Sequence, residues 1–188
     1  MKSFLIATIL LAATKIVYAQ PVHYDVEPTH AFVHFDVLHS GTSTNRARFD
    51  TVEGSIMLDR QEKTGEANII VYPGSVNTGI DSYNDHLRNA DFLNAAAFPT
   101  ATFHGTDFSF EDDKVTAVSG TLTFLGKTQP ITLHAERFNC YDSPRAEAEV
   151  CGGDFSATMQ RSDFGMTYGL PGIPDEVRLF IQIEAIKR

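Results

Sequence analysis

Apolar and polar residues alternate with a period of two along most of this chain, and that rhythm dictates strands with one dry face and one wet face. In AFVHFDVLH, Ala31, Val33, Phe35, Val37 and His39 share one side, and Phe32, His34, Asp36 and Leu38 the other. VEGSIMLD sets Val52, Gly54, Ile56 and Leu58 against Glu53, Ser55, Met57 and Asp59. EANIIVYP offers Ala67, Ile69 and Val71. VSGTLTF offers Val118, Gly120, Leu122 and Phe124, and ITLHAERF offers Ile131, Leu133 and Ala135. FSATMQR offers Phe155, Ala157 and Met159, and EVRLFIQIEAI offers Val177, Leu179, Ile181, Ile183 and Ala185. With TATFHGTDFSF these runs predict about eight antiparallel strands, and RQEKTGE, FEDDK and LGKTQP read as hairpin turns. Such strands have two main solutions, a sandwich or a closed barrel.

One stretch breaks the rhythm. In SYNDHLRNADFLNAAAFPT, Asp81 or Ser82 can cap a helix with Asp85 in its first turn. Leu87, Ala90 and Phe92 or Leu93 fall near helical spacing, and Pro99 requires the helix to end before it. A short amphipathic helix between strands has an apolar side that must cover something.

The first 19 residues read as a cleavable secretory signal: Lys2, an apolar run over residues 4–14, and a small-residue site at Val17, Tyr18 and Ala19. Cleavage leaves residues 20–188, which fit one domain. That segment holds 13 basic against 24 acidic residues, a net −11. The balance disfavours nucleic acid and anionic headgroups as partners. No later apolar run is long enough to span a membrane. In an exported protein, Cys140 and Cys151 predict a disulfide closing what reads as a loop between strands, stabilising the fold by ~3 kcal/mol.

Catalytic and metal chemistry find little support. There is no G-x-S-x-G elbow, no singled-out carboxylate pair and no metal-ligand spacing among the seven histidines. His30 and His34 would lie ~13 Å apart on an extended strand. Neither a cofactor nor a metal is expected. An eight-stranded barrel is just wide enough to be filled by side chains or to hold one small ligand, and alternation alone leaves both open. The small residues Ala31, Gly54, Ala67, Gly105, Gly120, Ala135 and Ala157 on or near the dry face lean toward room inside, although they also let strands bend.

HLRNADFLNAAAFPTATF, GTLTFLGKTQPITLHAE and RSDFGMTYGLPGIPDEVRLFIQIEAIK together resemble the YceI-like family, as does the opening YDVEPTHAFVHFDVLHSG. The resemblance covers about residues 22–187. It implies an all-β, lipocalin-like, elongated eight-stranded antiparallel barrel with one short helix over its mouth. It implies a non-catalytic periplasmic protein, often a homodimer, binding a polyisoprenoid such as a prenyl quinone or polyprenyl phosphate, or a fatty-acid or fatty-amide derivative. A filled barrel with a stress-related structural role is the rival. The expected chain contacts are Phe35, Val37, Ile69, Phe103, Leu122, Phe124, Leu133, Met159, Leu179 and Ile181. Leu87, Phe92, Leu93 and Phe98 are expected to cover the mouth, with Phe164 and Met166 at a Gly165 bend. His39, Asp85, His86, Arg88, Arg161 and Asp163 are candidates for a head group, or for pairing among themselves. Three departures stand out: Asn84 where the family carries an arginine before Asp85, His30-Ala31 where it reads His-Ser, and the Cys140 to Cys151 insert. Loss of that arginine favours a quinone or amide head over a phosphate.

Overall fold

The computed structural model describes residues 20–188, so the predicted signal segment lies outside the described residues. The alternating runs become one antiparallel sheet that closes on itself. Its strands are β1 (Val22–Val26), β2 (Phe32–His39), β3 (Ser43–Phe49), β4 (Val52–Asp59), β5 (Thr64–Val71) and β6 (Val76–Asn77). After helix α1 (Asp81–Arg88) come β7 (Ala101–Glu111), β8 (Lys114–Phe124), β9 (Lys127–Ser143), β10 (Ala148–Gln160) and β11 (Glu176–Lys187).

Eleven strands make eight staves. β11 pairs along one side with β10; along the other it pairs with β2 (Gln182 opposite Phe32) and then with β1 (Ala185 opposite Val26). β1 and β2 are therefore halves of one stave, parted by residues 27–31. β3 and β4 form the next, parted only by Asp50 and Thr51, and face β2 and β1 in turn. β5 continues into β6, which pairs with β3 and has no strand on its other side. α1 packs there. The three predicted hairpin turns lie at residues 60–63, 112–113 and 125–126.

In every predicted run the apolar phase points inward. The interior divides into two packed regions. One surrounds Tyr24, Leu58, Phe103, Val118, Phe155 and Ile183; the other surrounds Phe49, Val76, Leu93, Phe124 and Phe164.

Three expectations change. β1 and β3 did not stand out in the sequence, because VHYDV is short and STNRARF is mostly polar. The segment between the cysteines is not a loop: Cys140 and Cys151 are directly opposed on β9 and β10, their sulfurs bonded, and the turn is only residues 144–147. The inward glycines do not add room. A Cβ on Gly120 would lie 2.1 Å from the His104 carbonyl oxygen, so glycine there lets β7 and β8 cross closely where the ladder shifts register after Gly105.

Candidate functional site

The inward faces do not meet in the middle. The barrel holds a wide chamber of about 240 Å³ at the α1 end and a narrower one of about 130 Å³ below it. Both are walled by Val33, Val71, Leu122 and Leu179, which form a shared waist. A void of ~150 Å³ lined by aliphatic and aromatic groups is large enough for a benzene ring and stays dry. The two chambers together therefore suit a chain rather than a single ring.

Phe35, Val37, Leu87, Phe92, Phe124, Met159 and Met166 line the wide chamber, and Ile69, Phe103, Leu133 and Ile181 the narrow one. Leu122 and Leu179 touch both. Phe164 does not line either; it is buried behind Phe124, ring centroids 5.7 Å apart. Phe98 lies against the β8–β9 turn at Gly126 rather than over the bore.

The mouth is covered from two sides. The α1 side is fixed by Asn84, whose buried Oδ1 accepts from the Thr78 amide (2.7 Å) and hydroxyl (2.8 Å). The N-cap is Ile80, not Asp81 or Ser82. The helix ends at Arg88, and the apolar spacing continues through turns that bury Leu93. The other side is the segment after β10, where the Arg161 guanidinium donates to four backbone carbonyls: Pro174, Met166, Tyr168 and Ile173. Asp175 accepts from the Ser162 amide and hydroxyl, which hold its carboxyl below the usual carboxylate range. The sides meet through aromatic edges, His86 on Phe92 (4.7 Å) and Phe92 on Tyr168 (5.3 Å).

Of the head-group candidates, His39 and His86 border the wide chamber. Arg161 also borders it, but its donors are engaged with carbonyls and not with Asp163 or Asp85. Asp85 and Arg88 pair with each other (2.9 Å), and Arg88 also straps α1 to the Gly74 and Val76 carbonyls. Asp163 is exposed outside the bore. Asp85 and Arg88 anchor α1, whose charged side faces water, and Asp163 decorates the opposite covering segment.

Sequence reading missed Asn45 and Tyr83, which face the wide chamber and bond to each other (2.9 Å), and the floor of the narrow one. At that floor the Tyr24 hydroxyl donates to Glu149 (2.6 Å), and Arg60 holds the other carboxylate oxygen (2.5 Å). Burial and the facing Glu149 raise the Tyr24 phenol, while that hydrogen bond and Arg60 lower Glu149 despite its desolvation. Asn45 shares its phase with Ala47 and Phe49, a weak signal in a polar strand. The others have partners far away in sequence. Among the described residues, Cys140, Glu149 and Cys151 bring ligating atoms together, but the sulfurs are bonded to one another.

A closed antiparallel barrel of eight staves, with mainly apolar chambers inside and one helix packed at an end, defines a lipocalin-like barrel. The chain belongs to the YceI-like family, whose domain it matches over residues 24–185. Protein YceI of Salmonella paratyphi B is 32% identical over 186 residues, 98% of this chain and 96% of that one. A UPF0312 protein of Pseudomonas aeruginosa is 33% identical over 165 residues, 87% of this chain and 85% of that one. BcnA of Burkholderia cenocepacia shares the fold at 20% identity, with a TM-score of 0.70 over 85% of this chain and 99% of that one. So does a polyisoprenoid binding domain from Saccharophagus degradans, at 19% identity and a TM-score of 0.65, over 89% of this chain and 99% of that one. No helix among the described residues is long and apolar enough to cross a membrane.

Proposed function

We propose that this protein carries one molecule of an amphiphilic lipid with a long, methyl-branched chain, of the polyisoprenoid class. The observation that carries this reading is the pair of mainly apolar chambers that lie end to end and share Val33, Val71, Leu122 and Leu179 in their walls. Each buried methylene contributes roughly 0.8 kcal/mol. A chain of several isoprene units could thus hold against its ordering losses without a polar contact. Walls of Phe, Leu, Val and Met suit methyl branches, and the description of the Saccharophagus relative as polyisoprenoid-binding supports the same class. The disulfide and the predicted leader support export, and we assign the carrier to the periplasm.

The test is native mass spectrometry and organic extraction of protein purified from its own host. A prenyl lipid at one per chain is the expected result, with melting raised on adding prenyl quinone. Repeated recovery without lipid, and no thermal response, rules the reading out.

A further inference from the structure

The mouth carries hydrogen-bonding groups but no uncommitted arginine, and this bears on the ligand's polar end. Arg161 gives four hydrogen bonds to backbone carbonyls. Arg88 is held by Asp85 and two carbonyls. Arg46 also borders the wide chamber, and it is paired with Asp36 at 3.4 Å. A phosphate brought here would have to break one of these arrangements or lose its hydration unpaired. Asp81, Asp85, Asp91 and Asp163, all exposed on the outer surface of the two covering segments, would also repel it on its approach.

The Tyr83–Asn45 pair offers something different. Both side chains face the wide chamber, and the Asn45 amide donates to the Tyr83 oxygen at 2.9 Å. Among the described residues, the phenol proton then finds no acceptor and Asn45 Oδ1 no donor. With the amide turned over, the phenol donates and the Asn45 NH₂ is spare. In either arrangement the pair keeps at least one donor and one acceptor for a guest.

We propose that Tyr83 and Asn45 form the head-group site, and that it selects an uncharged head bearing a hydroxyl or carbonyl over a phosphorylated one. This rests on the carrier reading above. The experiment is displacement of the neutral fluorescent probe N-phenyl-naphthylamine by farnesol, by farnesyl phosphate and by a hydrocarbon of like branching. Farnesol should act at about tenfold lower concentration than farnesyl phosphate. Tyr83→Phe should weaken farnesol about three- to tenfold and leave the hydrocarbon unchanged. Asn45→Lys should favour the phosphate. Uptake of the probe by each variant reports an intact bore. Equal or tighter binding of farnesyl phosphate by the unmodified protein overturns the proposal, as does a Tyr83→Phe loss shared by farnesol and hydrocarbon. If all three compounds displace the probe alike, only the head-group site fails. If not even the hydrocarbon displaces it, the carrier reading fails as well.

Discussion

Arg161 is almost wholly buried, and burial pulls its pKa below the ordinary guanidinium value while nearby Asp175 acts the other way. Its four carbonyl partners make it the peg of the segment that covers one side of the mouth. Arg161→Met should cost about 3–5 kcal/mol, since it strands those carbonyls. The melting temperature should fall by roughly 10 °C. Arg161→Lys should recover only part, because an ammonium cannot reproduce the planar fork. Melting within a degree or two of the unmodified protein would show the peg to be dispensable. At the floor, Glu149 has a lowered carboxyl pKa, so its contribution is present above the ordinary value of about 4.3 and lost as pH falls through the folded-state value. Glu149→Gln should lower stability at neutral pH by ~1–2 kcal/mol, and the gap should close as pH falls through the lowered folded-state value. A gap that stays constant from pH 7 to pH 3 would mean that the carboxylate charge contributes nothing. The sequence singled out Arg161 but not its carbonyl partners, and the floor cluster was not legible at all. Tyr24 and Glu149 are 125 residues apart, Arg60 and Glu149 89, and Asn45 and Tyr83 38, so no local pattern could join them.

Among the elements, the strands were readable and the lid only partly so. Alternation reports which way each side chain points, and it put Leu122, Leu133, Met159 and Leu179 on the dry side correctly. It said nothing of where a stave breaks, so β1 and β3 stayed hidden. The helix was announced by its polar first turn, but its end was not: Leu93 is buried in a turn, and burial there follows the barrel mouth rather than helical spacing. α1 has eight residues, too few to hold without tertiary anchors. Asn84 is such an anchor, and it occupies the position where an arginine was expected. Asn84→Ala leaves the Thr78 amide without its acceptor and should cost about 1–2 kcal/mol. Hydrogen exchange should then quicken across residues 78–98 while β8 to β11 keep their protection. Uniform loss of protection would show α1 to be integral to the barrel and not a separately anchored cover.

For the whole molecule, closure is what alternation left undecided between sandwich and barrel, and only the family resemblance implied the barrel. β11 decides it, because it is long enough to pair with β10 on one side and with β2 and β1 in turn on the other. A ring of eight staves keeps the walls apart, and whether the centre is filled depends on side-chain volumes that alternation cannot sum. Leu122→Trp tests this directly. In a solid core the extra ring would force neighbours off their rotamers, at about 1–3 kcal/mol or more. Here Leu122 stands at the waist with open space above and below, so the indole can occupy void instead of displacing neighbours. Melting should stay within ~3 °C of the unmodified protein while uptake of a long prenyl chain is abolished. Met159→Trp, in the wide chamber alone, should shorten the chain that fits without excluding it. If both variants unfold early and lipid uptake follows stability rather than bore length, the interior is a packed core and its voids have no bearing on binding.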